Sequence, residues 1–158
     1  MEVRLATLDD TEALCILLDE FYAYNARLQP AYCHADNEQG DYPKTMIESD
    51  NSDFLLAAEG NAVLGFIHIN QTQTPPCGSI VPHNYAEIMA FMVTAPRRGQ
   101  GIGAMLLEAA KQWSRTRNLD YIELTSLANA KEANSFYDNI SFSTVSHTRR
   151  YTLSKTED

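Results

Sequence analysis

The sequence predicts a single α/β domain, residues 1–158, built on a mixed sheet, and three observations carry that prediction. Short apolar runs with strand character alternate with segments whose apolar residues recur at helical spacing. Two such runs, Phe54 to Ala58 and Val63 to Ile69, flank Glu59-Gly60-Asn61, a hairpin signal that calls for antiparallel pairing. A third run, Glu87 to Val93, leads through Pro96 into the octet Arg97-Arg98-Gly99-Gln100-Gly101-Ile102-Gly103-Ala104, where a helix begins. No repeat, linker or low-complexity stretch interrupts the pattern.

Taken in order, Val3 to Ala6 reads as a first strand. Asp9 or Asp10 is placed to cap a helix whose face carries Ala13, Leu14, Leu17, Leu18, Phe21 and Tyr22. Residues 25–42, rich in Asn, Gln, Pro, Gly and Asp, read as a loop, with a short helix after Pro43. The hairpin follows, then a connection from Gln71 to Asn84 holding Pro75, Pro76, Gly78 and Pro82. After the strand that starts near Tyr85, Ile102, Met105, Leu106, Ala109, Ala110 and Trp113 form one helical face. Asn118 ends that helix. Tyr121 to Ser126 is a strand, Ala130 to Asn139 a helix, and Phe142 onward with Arg149 to Leu153 a closing pair of strands. The order is β-α-α-β-β-β-α-β-α-β-β, about seven strands and four helices.

Charge is unevenly spread. Residues 1–60 hold 13 acidic groups against Arg4, Arg27 and Lys44, near −10, while the rest of the chain is near +1, within a net charge of −9. An acidic first third repels nucleic acid and anionic lipid and attracts a cationic small molecule, unless it is simply a solvated surface. The N-terminus lacks the pattern of a signal peptide, and no apolar stretch is long enough to span a bilayer. Cys15, Cys33 and Cys77 lack disulfide or zinc-binding spacing, and His34, His68, His83 and His147 lack ligand spacing, so no metal is expected. The default location is cytoplasmic.

The glycine octet is where chemistry enters. A glycine-rich turn at a helix N-terminus aims free amides and the positive end of the helix dipole at one spot, and missing side chains admit phosphate oxygens. Three such turns compete. A P-loop requires Lys-Ser/Thr after its last glycine, and Ala104-Met105 stands there instead. Gly99, Gly101 and Ala104 fit a dinucleotide fingerprint, but five residues separate them from their strand and no second βαβ unit exists. The third is Arg-x-x-Gly-x-Gly, met by Arg98, Gly101 and Gly103.

With AEIMAFMV before that turn and AKEANSFYDNISF at residues 130–142, the stretch from Tyr85 to Tyr137 resembles the GNAT superfamily of acetyl-CoA-dependent N-acetyltransferases. The resemblance implies the family's central mixed, mostly antiparallel sheet. It also implies an acetyl-CoA site formed by the Phe91, Met92 and Val93 backbone and the turn Arg98, Gly99, Gln100, Gly101, Ile102, Gly103 and Ala104. Its activity is acetyl transfer to a primary amine by direct attack.

Within that resemblance Glu87 is the candidate base. Apolar neighbours would raise its pKa, and the alternative is a strand-end Glu facing solvent. The Phe91 N–H is the oxyanion donor, against an ordinary laddered strand. Tyr137 is the candidate acid for the departing thiolate, against a purely amphipathic core residue. Asn129 falls one residue early for the family's cofactor-binding asparagine and has capping-box spacing with Glu132, so the cap is favoured. Ser141 stands where the family usually has glycine. The substrate side is assigned to residues 20–50 and the 70–84 loop. The acceptor is a small-molecule amine, there is room for a homodimer, and the rival reading is a catalytically silent acyl-CoA-binding module.

Overall fold

The computed structural model describes residues 1–35 and 40–153. The expected loop at 25–42 is therefore only partly covered, because positions 36–39 lie outside the described residues. Five strands form one sheet in the order β1 (Glu2–Leu5), β2 (Ser52–Glu59), β3 (Ala62–Gln73), β4 (Asn84–Val93) and β5 (Ile122–Leu124). Neighbours run antiparallel except β4 and β5, which are parallel. The helices are α1 (Thr11–Leu28), α2 (Tyr42–Ile47), α3 (Ile102–Thr116) and α4 (Lys131–Asn139).

The sheet carries a core on each face. Leu55, Ala57, Ile67, Ile69, Ala86 and Ile88 pack under Ile102, Leu106, Leu107, Ala110 and Trp113 of α3. Phe54, Leu56, Phe66, Ala90 and Met92 pack under Leu14, Leu17 and Leu18 of α1. Alternation along a strand explains the division, since residues two apart share a face. In β4 the alternation breaks. His68 pairs with Ala90 and Ile69 with Ile88, so Met89 is the extra residue of a β-bulge. Ala86 and Ile88 therefore serve the α3 core, whereas Ala90 and Met92 serve the α1 core.

Four sequence expectations are corrected. Helix α1 runs to Leu28, and its last turns carry Phe21, Tyr24 and Asn25 on the side that faces the cavity. Strand β3 runs to Gln73 and pairs with residues 84–87, which shortens the connection placed at 71–84. No strand follows β5 among the described residues, so the sheet has five strands and not seven. The segment expected to close it instead reaches Tyr32 beyond α1, where the Arg150 guanidinium lies 3.6 Å from the ring centroid. Met105, counted with the core face of α3, is 39% exposed, while Leu107 takes the buried place.

Both long C-terminal helix ends are closed by left-handed residues. After α3, Asn118 has φ +54° and the Leu119 N–H reaches the Ser114 carbonyl at 3.1 Å. After α4, Ser141 has φ +70°, the Phe142 N–H reaches the Tyr137 carbonyl at 3.1 Å, and the Ser141 N–H reaches that of Asp138 at 3.4 Å. This is a Schellman closure, and the Phe142 ring rests against Tyr137 at 5.8 Å as the motif's apolar contact. Serine thus occupies a glycine conformation and keeps the turn tight.

Candidate active site

Strands β4 and β5 pair only over Ala86–Ile88 and Ile122–Leu124. Beyond Ile88 no strand lies against that edge of β4 among the described residues, and a cavity of about 670 Å³ opens there. Its walls are Ile88–Val93 of β4, the turn and first residues of α3, Leu124–Leu127, and Ala133, Phe136 and Tyr137 of α4. Helix α1 adds Phe21, Tyr24 and Asn25. All three fall within residues 20–50, the segment assigned to the substrate side, although none was singled out by number as a wall residue.

The turn has the geometry that its glycines require. Gly99 holds φ +72° and Gly101 φ +82°, with Gly101 as the N-cap of α3. A Cβ at either would meet nothing within 4 Å, so backbone conformation is what demands glycine there. Gly103 has a different reason: its Cβ would stand 3.2 Å from the Phe136 ring, which packs over the first turn of α3. Arg98, Gly99, Gly101, Ile102, Gly103 and Ala104 all line the cavity. Gln100 does not; its amide donates to the Pro96 carbonyl at 3.3 Å.

Both arginines already have partners. Arg98 Nε donates to the Val93 carbonyl at 3.0 Å, which ties the turn to the end of β4, and its guanidinium stands 5.8 Å from the Tyr24 ring centroid. Arg97 donates to Glu59 at 3.1 Å across the β2–β3 hairpin. The first-third acids are likewise engaged elsewhere in part. Asp10 takes a bidentate bond from Arg4, and Asp53 accepts from Trp113 and Arg117. No acid from residues 1–60 and no residue of 70–84 lines the cavity among the described residues.

Tyr137 stands in the wall beside Phe91, Phe136 and Phe142. Burial pushes its pKa up to about 12, with Tyr24 adding to the shift. The phenol therefore keeps its proton at neutral pH, and its hydroxyl has no hydrogen-bond partner among the described residues. Phe91, Met92 and Val93 border the cavity along the free edge of β4.

Glu87 sits apart from this group. It pairs with Asn70 of β3 and, by alternation, projects on the α1 face. It is half-buried and lies one residue outside the run Ile88–Val93 that lines the cavity. Asn129 is placed differently from the expected cap. Ala130 is the N-cap of α4, without a side-chain cap, and the Asn129 amide donates to the Leu28 carbonyl at 2.7 Å. It fastens the loop to the end of α1, because the Lys131 N–H turns back to the Asn129 carbonyl and carries the side chain away from the helix start. Neither Asn129 nor Glu87 is a wall residue.

Residues 14–142 match the family model described as the acetyltransferase (GNAT) family, and the chain belongs to that family. A curated relative, the uncharacterized N-acetyltransferase YhdJ of Bacillus subtilis (strain 168), is 36% identical over 73 residues. That match covers 46% of this chain and about half, 51%, of the relative's length. Among solved structures, a point mutant of the BH1408 protein from Bacillus halodurans superposes with a TM-score of 0.90 at 22% identity, covering 97% of this chain and 99% of that one. An aminoglycoside acetyltransferase, HMB0005, from an uncultured soil metagenomic sample gives 0.70 at 17% identity, over 97% and 98% of the two chains. At those identities the likeness is one of fold. Among the described residues, no helix is long and apolar enough to cross a membrane, and no cluster of His, Cys, Asp or Glu could hold a metal ion.

Proposed function

We propose that this chain transfers an acetyl group from acetyl-CoA to a primary amine by direct attack, without a covalent enzyme intermediate. The observation that carries the reading is the opening of a positive-φ glycine turn and a protonated tyrosine into one cavity. The residues fit the co-substrate. The α3 N-terminus offers unpaired amides with open space at Gly99 and Gly101, and the free β4 edge offers backbone groups to an extended pantetheine arm.

Acetyl-CoA, when bound, supplies the activated acyl carbon and a thiolate leaving group. The chain then has three tasks. The amides of Gly99, Gly101, Gly103 and Ala104 hold the pyrophosphate, with Arg98 bracing the turn. The Phe91 N–H faces the thioester oxygen as charge grows there. Tyr137 gives its proton to the sulfur, and Glu87 takes the amine proton through water, since it stands outside the cavity wall. The acceptor is a small amine entering past Phe21, Tyr24 and Asn25; the charge near −10 on residues 1–60 draws a cation to the surface only at long range, since none of those acids lines the cavity.

The position of Glu87 favours one alternative, a catalytically silent acyl-CoA-binding module. A thiol-release assay over a panel of amines separates the two. Turnover is expected with at least one diamine or aminosugar. Tyr137→Phe and Glu87→Gln should each lower kcat by about 10²-fold with the KM for acetyl-CoA little changed. No acetylated amine, together with parent-like acetyl-CoA affinity in both variants, would establish the silent module. Folded Gly101→Val should lose coenzyme A affinity by about tenfold or more, and unchanged affinity would remove the cofactor assignment.

A further inference from the structure

One row of facing residues crosses three strands just before the cavity begins. Asn70 of β3 pairs with Glu87 of β4, and Glu87 with Glu123 of β5. Their neighbours Ile69, Ile88, Ile122 and Leu124 belong to the α3 core, so alternation sends all three side chains to the α1 face. The adjoining row is aromatic: the Tyr85 and Tyr121 rings stack with centroids 4.8 Å apart and planes at 19°. Burial raises the Tyr85 pKa, and the neighbouring Glu87 and Glu123 carboxylates raise it further.

These two acids lack what the other strand acids have. Glu2, Asp53 and Glu59 each face an arginine, and Asp120, at the entry to β5, is bonded to His83. Glu87 and Glu123 have no ion-pair partner among the described residues, although like charges directly opposite on adjacent strands repel. Asn70 Oδ1 is unsatisfied too. It is buried without a hydrogen-bond partner among the described residues, and both nitrogens of the nearby His68 ring are engaged by the Tyr42 and Ser52 hydroxyls. An ammonium group supplies both the donors and the positive charge that this face lacks.

On the acetyl-transfer reading, we infer that Glu123 sets acceptor specificity: with the Tyr85 and Tyr121 rings it holds the far ammonium of a diamine whose near amine reacts in the cavity. Carboxylate and aromatic faces together are what an alkylammonium prefers. Glu123 is exposed and so open to a ligand, and its neighbour Leu124 is a wall residue of the cavity. Along β4 the row stands roughly 13 Å from Phe91, four residues on, a gap that an extended diamine and the glutamate side chain cross together. Glu87 keeps its task towards the near amine, and a bound ammonium relieves its repulsion with Glu123.

The test compares 1,5-diaminopentane with pentylamine, which lacks only the second ammonium. Thiol release by the parent should give a KM for the diamine about tenfold below that for the monoamine. Glu123→Gln should raise the diamine KM about tenfold with kcat little changed, bringing the two amines level. Glu12→Gln removes the same charge from the exposed start of α1 and should alter neither KM, which separates local contact from long-range attraction. Calorimetric titration of the coenzyme A-bound protein with the diamine should show the same loss of affinity in Glu123→Gln. Equal KM values for the two amines in the parent, or an unchanged diamine KM and affinity in Glu123→Gln, would overturn the inference and leave acetyl transfer standing. Diamine binding that depends on Glu123 without any acetylated product would uphold the cation contact and remove the transfer reading instead.

Discussion

Ser141 closes α4 at φ +70°, a conformation in which an L side chain is strained by about 1 kcal/mol and glycine is not. Ser141→Gly should therefore raise stability by about 0.5–1 kcal/mol in a denaturant titration, and a loss would show that the serine hydroxyl contributes more than the strain removes. The same closure engages the carbonyl and ring of Tyr137, so the residue that holds the candidate proton is positioned by the termination of its helix. Glu87 shows the opposite situation. Its neighbours in sequence are apolar, yet alternation places its side chain beside Asn70 and away from Tyr137, which enters from α4.

Among the elements, α2 is short and is fastened to the sheet by one buried network. His68 Nδ1 lies 3.0 Å from the Tyr42 hydroxyl, Nε2 lies 2.9 Å from Ser52 Oγ, and the ring stacks on Phe54 at 4.4 Å. Burial lowers the His68 pKa from 6.5 to about 4, so the folded state holds a neutral ring where the unfolded chain binds a proton. Stability is thus fully present above pH 6.5 and falls as pH drops from 6.5 towards 4, by about 3 kcal/mol in all. Urea midpoints between pH 7 and pH 4.5 should show that slope in the parent and a flatter one in His68→Gln. An equal slope in both would assign it to other groups.

The elements that sequence made legible are those with strong local signals. The α3 stripe, the hairpin at Glu59-Gly60-Asn61 and the glycine turn stand where spacing and φ requirements placed them. The β-bulge at Met89 was hidden, and residues 20–50 were assigned to the substrate side without showing which of them, Phe21, Tyr24 and Asn25, reach the cavity, because both depend on which strand or helix lies alongside. Residues 142–153 misled for a related reason: they have strand composition but no strand partner within the described chain.

For the whole molecule, the sheet separates two cores that share no side chain. Leu106 is fully buried in the α3 layer and Leu18 in the α1 layer. Each Leu→Ala change should cost about 2–5 kcal/mol. Because a strand layer lies between them, the double variant should equal the sum of the singles within about 0.5 kcal/mol. A larger coupling energy would mean that the two layers repack together through the sheet.

The extra residue at Met89 gives β4 a reading frame in three dimensions. Before it, even-numbered side chains face α3; after it, they face α1. Deleting Met89 would act on the strand as a frameshift acts on a message, exchanging inside for outside along every residue on one side of the cut. Ala90 and Met92 would meet α3 while Phe91 and Val93 turned towards α1, so one deletion would remove a wall residue and reorient the four that follow it along the cavity edge. Substitution at Met89 is cheap by comparison, since its side chain is 46% exposed. The fold depends on the presence of a residue at this position more than on its identity.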